Sequence, residues 1–136
     1  MVWVWISLLG LAALVPRVEA THEVDHRYLV LGYVRDGAGQ PIRGAHVRLI
    51  REATGLSYEA TTGSDGFYLL VVHLHHDDDV GDALRISVGR ATARLEARFA
   101  PWDANSHRGA MVDFRGTQAQ ERPDLFAAAL AEYLKP

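Results

Sequence analysis

Residues 31–49 read LGYVRDGAGQPIRGAHVRL, and residues 61–68 read TTGSDGFY. In the first stretch, a glycine-rich loop at residues 36–41 separates two segments that are rich in apolar residues. In the second stretch, residues 63–66 combine glycine, serine and aspartate just before an aromatic pair. Glycine, proline and aspartate at such positions form tight turns, and period-two alternation is typical of β-strands. These stretches therefore predict short strands joined by turns.

Further strands are predicted on both sides of these turns. Residues 45–50, 84–89 and 93–99 alternate apolar and polar side chains, as in a sheet with one face in water, and residues 111–114 fit a last short strand. Residues 28–34 and 67–76 differ because apolar residues occupy both faces. Such strands must be covered on both faces. The opposite sheet of a β-sandwich supplies one cover, and the other must come from this chain or from a partner.

The end of the chain predicts a candidate for the second cover. Pro123 fits the start of a helix, and the following residues are rich in alanine and leucine. Six apolar residues recur there at helical spacing and would share one face, namely Leu125, Phe126, Ala129, Leu130, Tyr133 and Leu134. We predict that this short C-terminal α-helix packs on its own sandwich; the alternative is that it docks on a partner.

The beginning of the chain predicts an export signal. Residues 1–14 are uncharged and apolar, Pro16 follows, and Val18 and Ala20 fit the −3 and −1 positions of a cleavage site. No lysine or arginine precedes the apolar run, which departs from the usual pattern. The run is shorter than the ~20 residues of a spanning helix. We predict a cleaved signal helix at residues 1–20, a periplasmic or extracellular protein and no membrane span after cleavage; an uncleaved anchor is the alternative.

The turn motif resembles a known family. The residues that carry the resemblance form one spaced pattern, namely Gly32, Asp36, Gly39, Pro41, Gly44, Asp65, Gly66 and Tyr68. This pattern is similar to that of the carboxypeptidase regulatory-like domain, a transthyretin-like β-sandwich of many exported bacterial proteins. The resemblance implies an all-β, seven-stranded-type Greek-key sandwich, placed at residues 21–116, with a helical tail at residues 117–136. It also implies an accessory or binding module rather than an enzyme.

Composition and missing motifs exclude several functions. The 136 residues contain no cysteine, which excludes disulfides, thiolate metal sites and thiol nucleophiles, and the net charge of −3 argues against nucleic-acid binding. Two enzyme families resemble the sandwich. The transthyretin-like ureide hydrolases end in Tyr-Arg-Gly-Ser, whereas this chain ends in EYLKP. The intradiol dioxygenases hold iron with two tyrosines and two histidines, whose spacing is missing here. We therefore predict no catalytic residues and no cofactor.

Two polar clusters leave alternatives open. One cluster is a dense polar run, namely His73, His75, His76, Asp77 and Asp79. His73 and His75 would share one strand face and could bind a transition metal. His46 or His107 could complete the site. Asp77, Asp78, Asp79 and Asp82 could instead hold calcium, but a plain polar loop is the favoured interpretation. The arginines at positions 48, 51, 85, 94 and 98 fit either an anion or glycan surface or, preferably, a solvated sheet face.

Together these observations predict a non-enzymatic, exported accessory module that binds a partner protein or an envelope surface. A periplasmic metal-binding protein that uses the His73–Asp79 region is the alternative, and an unrecognised hydrolase is a distant third. Trp102, in a loop, is expected to plug the edge of the sandwich or to offer a contact surface.

Overall fold

The computed structural model describes residues 27–74, 79–100, 102 and 107–136. The predicted signal at residues 1–20 lies outside the described residues, as do His75, His76, Asp77 and Asp78. Within the described part, no helix is long and apolar enough to cross a membrane.

Eight strands form two sheets of four, with the orders β4-β1-β7-β8 and β3-β2-β5-β6. The strands are β1 (Arg27–Arg35), β2 (His46–Arg51), β3 (Ser57–Thr61), β4 (Phe67–His73), β5 (Ala83–Val88), β6 (Ala91–Glu96), β7 (Gly109–Arg115) and β8 (Gln118–Glu121). A 3-10 turn (Pro123–Leu125) leads into helix α1 (Phe126–Tyr133). The predicted all-β sandwich and C-terminal helix are confirmed.

Two of the eight strands are not among those predicted from the sequence. Strand β3 pairs antiparallel with β2, and β8 pairs antiparallel with β7. Strand β8 lies within residues 117–136, so the first sheet continues to Glu121 before the helical part of the tail begins. The described residues therefore contain eight strands.

The main core lies between the two sheets. The alternation in β2 and β5 points Val47, Leu49, Leu84 and Ile86 inward, where they are fully buried. Residues of β1, β4 and β7 face them from the first sheet, among them Val30, Val34, Leu70, Val72, Val112 and Phe114. Removing this apolar surface from water is the main favourable contribution to folding.

A second, smaller cluster lies on the outer face of the first sheet. Leu31, Met111 and Leu130 are buried there, and Leu29, Tyr33, Phe67, Leu69, Phe126 and Ala129 pack around them. The ring of Tyr133 stacks on Phe67 at a centroid distance of 5.3 Å. Helix α1 therefore packs on its own sandwich and covers part of the face that the doubly apolar strands expose, as predicted.

Gly109 lets the helix approach the sheet. A Cβ at this position would overlap the carbonyl oxygen of Leu29 and lie 2.6 Å from the ring of Phe126. The missing side chain thus makes room for both the β1–β7 pairing and the first residue of α1.

We expect the protein to lose stability in alkali partly because of Tyr28. This residue is only 2% exposed, and burial raises its pKa from 10.0 to about 12. Above pH 10 the unfolded chain releases this proton while the folded chain keeps it, so the contribution of Tyr28 is complete below pH 10 and is lost towards pH 12. The free energy of unfolding should decrease for both proteins when the pH is raised from 8 to ~11.5. The decrease should be about 2 kcal/mol smaller for Tyr28→Phe than for the wild type, because the variant lacks this hydroxyl group. Urea unfolding at both pH values measures this, and equal losses would contradict the assignment.

Candidate functional site

The first motif residues build the loop between β1 and β2. The Asp36 side chain accepts hydrogen bonds from the backbone N–H groups of Ala38 and Gln40, both at 2.9 Å. Gly39 has φ +88°, a conformation that favours glycine, and Pro41 forms an isolated bridge with Arg35. These residues shape the loop, and their polar groups are used in the loop itself.

Gly32 and Tyr68 form one structural unit within the first sheet. They lie opposite each other on β1 and β4. The Tyr68 hydroxyl donates a 2.6 Å hydrogen bond to the carbonyl oxygen of Val112, and a Cβ at Gly32 would overlap that same oxygen. Beside it, the Tyr33 N–H donates to Asp113 Oδ1 at 3.0 Å. The pattern Gly32–Tyr68 thus joins β1, β4 and β7, and burial raises the pKa of Tyr68 far above its ordinary range.

The remaining motif residues fix the turns around β2 and β4. Thr62 is buried, accepts a hydrogen bond from the Ala45 N–H at 2.8 Å and donates to the Ile42 carbonyl oxygen at 2.6 Å. Gly44 and Gly66 have φ values of +76° and +81°. The Asp65 side chain accepts a hydrogen bond from the Phe67 N–H at 3.1 Å. All eight motif residues therefore have structural roles in turns or in the core.

The described members of the predicted metal cluster lie in different surroundings. His73 is exposed at the end of β4. Asp79 is buried and accepts a 2.6 Å hydrogen bond from Arg51 Nη2, and Asp82 lies 2.7 Å from the same atom. Burial alone would lower the pKa of Arg51, but the hydrogen bonds and charges of Asp82 and Asp79 raise it. Arg51 thus holds residues 79–82 against β2.

Metal binding stays a prediction for this region. Among residues 27–74, 79–100, 102 and 107–136, no group of three histidine, aspartate or glutamate side chains is placed to hold a metal ion. His46, proposed as a completing ligand, lies on the second sheet, whereas His73 lies on the first. The His46 Nε2 atom is 3.4 Å from a carboxylate oxygen of Glu59, which lies on the same sheet as His46. His107 lies on the first sheet's side, next to β7.

Several of the candidate arginines pair with carboxylates near the second sheet. Glu52 contacts Arg85 at 3.0 Å and Arg94 at 3.2 Å, and its pKa is lowered chiefly by the hydrogen bond from Arg94. Arg98 lies 3.5 Å from Glu96. These solvated pairs of both signs favour the interpretation of a polar sheet face.

Trp102 does not plug the edge of the sandwich, because its side chain is 84% exposed. A large exposed aromatic residue offers a contact surface, which was the second expectation for it.

A concave groove lies beside helix α1. Its volume is about 300 Å³, and its lining comes from β1 (Arg27, Leu29), β4 (Leu69, Val71), the segment before β7 (His107, Arg108) and the end of the helix (Leu130, Tyr133, Leu134). Val71, Tyr133 and Leu134 are 37%, 51% and 55% exposed. We refer to this feature as the α1 groove.

The α1 groove exists because the helix is shorter than the sheet it covers. Eight residues of α-helix are about 12 Å long, whereas the nine residues of β1 extend over about 30 Å. The helix covers Leu31, Met111 and Phe67, and the rest of this apolar face remains accessible around Leu69 and Val71.

The groove has a basic end. Arg27, His107 and Arg108 line it, and none of its described lining residues is acidic. The Leu29 N–H donates a 2.7 Å hydrogen bond to the Arg108 carbonyl oxygen, and the Arg108 guanidinium lies 4.8 Å from the centroid of the Phe99 ring. A neighbouring cavity of about 130 Å³ shares His107 and Arg108 and adds Arg98. Among the described lining residues, the floor is apolar, and two arginines and a histidine lie at one end.

The sequence indicated only part of this groove. The doubly apolar strand at residues 67–76 and the spacing of Tyr133 and Leu134 pointed to its apolar floor. Arg27, His107 and Arg108 were not predicted as a group, because His107 and Arg108 lie 80 and 81 residues after Arg27 in the sequence, and the parallel β1–β7 pairing brings them together.

Comparisons with known proteins agree with the turn motif. One similar solved structure is the dioxygenase domain of a novel dioxygenase carbohydrate-binding protein fusion from the cellulolytic bacterium Streptomyces sp. SirexAA-E. It is 17% identical, the match covers 73% of this chain and 83% of that chain, and the TM-score is 0.45. No curated protein matches significantly. The family model of the carboxypeptidase regulatory-like domain matches residues 30–74, which include all eight motif residues. Residues 30–74 are therefore similar to a carboxypeptidase regulatory-like domain, as the turn motif predicts.

Proposed function

We propose that this protein is an exported, non-catalytic module that binds a partner protein through the α1 groove. The single observation that carries the proposal is the partly covered apolar face of the first sheet. Leu69 and Val71 lie on a strand that is apolar on both sides; Leu69 is half-buried against the helix cluster, and Val71 is 37% exposed beside it. An accessible apolar face rimmed by polar groups is typical of an interaction site.

The structural roles of the motif residues support the non-catalytic part of the proposal. Asp36 and Asp65 accept hydrogen bonds within turns, and the Tyr68 hydroxyl donates a hydrogen bond to the Val112 carbonyl oxygen. The chemistry of an enzyme family would be sought first at such motif residues, and here their polar side chains form hydrogen bonds within the fold. Export is supported by the signal-like pattern of residues 1–20.

Site-specific photo-crosslinking in the native cell tests this proposal. A photoreactive phenylalanine analogue at Leu134, in the groove, should give a discrete adduct with one partner protein. The same analogue at Arg94, an exposed position on the far sheet, is the matched control and should give none. Adducts of equal yield from both positions, or none from either, would contradict the proposal.

A further inference from the structure

The α1 groove combines two recognition chemistries in a fixed order. Its apolar part is formed by Leu69 and Val71 of β4 together with Tyr133 and Leu134 at the end of the helix. Its basic part is formed by Arg27, His107 and Arg108. A ligand that fills the whole groove must therefore be apolar at one end and anionic at the other.

We propose that the groove binds a short segment of the partner protein in which apolar residues stand next to aspartate or glutamate. This inference rests on the proposed function and names the chemistry of the partner. Charge complementarity carries the anionic half, because carboxylates pair well with arginine and because the described lining residues include no acid. A guanidinium has five N–H donors, so an arginine that already has a partner can still bind a carboxylate.

The size and setting of the groove favour a peptide segment. About 300 Å³ is the lower limit of ordinary ligand sites and suits a few side chains rather than a large cofactor. The groove lies beside β4, which is an edge strand of the first sheet, so in the described residues no further strand borders it there. Arg108 is only 8% exposed, and its guanidinium packs on the ring of Phe99. This part of the basic end is therefore held in place before a ligand binds, which lowers the entropy cost of binding.

Fluorescence anisotropy with defined peptides tests this chemistry. The probe is a labelled peptide of three leucines followed by three glutamates, added to the full chain. A peptide with three lysines in place of the glutamates is its control. We expect the glutamate peptide to bind at least ~10-fold more tightly, a difference that corresponds to one good charge pair. Equal affinity for the two peptides would overturn the proposal.

Two groove variants and one distant variant locate the binding. Arg27→Glu reverses a charge at the basic end, and Val71→Glu places a charge in the apolar part; each should weaken binding of the glutamate peptide at least ~10-fold. Arg48→Glu makes the same charge change at an exposed position on the other sheet and should leave affinity within about twofold. Thermal unfolding of all three variants near the wild-type midpoint shows that they fold. Equal weakening by Arg27→Glu and Arg48→Glu would overturn the location.

Other occupants give different results. Decanoate, like the peptide, has an apolar part and a carboxylate. If decanoate displaced the labelled peptide at a lower concentration than the unlabelled glutamate peptide does, the groove would be assigned to a lipid ligand and the proposal would be overturned. A photo-crosslinked partner from Leu134 combined with no preference between the two peptides would overturn this inference while leaving the proposed function standing. The two failures can therefore be told apart.

Discussion

Gly32→Ala is expected to lower the free energy of unfolding by about 3–5 kcal/mol, because two costs combine at this position. The new methyl group would overlap the Val112 carbonyl oxygen and push β7 away from β1. Moving that oxygen also breaks the 2.6 Å hydrogen bond from the Tyr68 hydroxyl, which would leave a buried donor and a buried acceptor unsatisfied. Urea unfolding followed by circular dichroism measures the change.

Gly37→Ala is the matched control for this substitution. Gly37 lies in the β1–β2 loop, and a Cβ there would have nothing within 4 Å. Its substitution should change stability by no more than about 0.5 kcal/mol. If Gly32→Ala were as mild as Gly37→Ala, the close approach of β1 and β7 would be wrong, and with it the explanation of the Gly32–Tyr68 pair.

Leu130→Ala is expected to lower the free energy of unfolding by about 2–4 kcal/mol, the usual effect of removing a buried leucine. Leu130 is only 4% exposed and packs with Leu31 and Met111, so it is the main anchor of helix α1 on the first sheet. Because the helix begins and ends without a side-chain cap and has only eight residues, it depends on this packing. Amide hydrogen exchange should show that the helix opens more readily in the variant.

Leu134→Ala provides the comparison. Leu134 lies four residues further along and is 55% exposed, so its loss should change stability by no more than about 0.5 kcal/mol. Similar effects of the two substitutions would contradict the packing of the helix by its Leu130 face. Leu134 also lines the α1 groove, so Leu134→Ala can weaken partner binding without weakening the fold.

Much of the fold could be predicted because period-two alternation reports burial directly. Leu84 and Ile86, or Val47 and Leu49, alternate with exposed residues in the sequence and in the sandwich alike. The apolar residues on both faces of β1 and β4 also predicted a second cover, which α1 provides. Strand β3 was missed because Ser57–Thr61 has only Tyr58 and Ala60 as inward residues, and both are half-buried.

Strand β8 was missed for a different reason. Its four residues, Gln118–Glu121, are mostly polar and exposed, and they form a strand because Gly116 turns the chain back along β7. Pairing with a neighbour therefore determines this strand more than its own pattern does.

The candidate site was less accessible to sequence reasoning than the fold. The densest polar run, around His73 and Asp79, attracted a metal hypothesis, but Asp79 is engaged with Arg51, 28 residues earlier in the chain. The α1 groove depends on the length of the helix relative to the sheet and on the parallel pairing of β1 with β7. Neither the relative length of the helix and the sheet nor the β1–β7 pairing can be predicted from a local pattern of residues.

The central claim is that the partly covered outer face of the first sheet is the binding site. Amide hydrogen exchange, measured with and without the cross-linked partner, tests this claim most directly. The account predicts slower exchange on binding in peptides that cover Leu69–Val71 and Tyr133–Leu134, with no change in β5 and β6 of the second sheet. Protection that is confined to β5 and β6, or no protection at all, would contradict it.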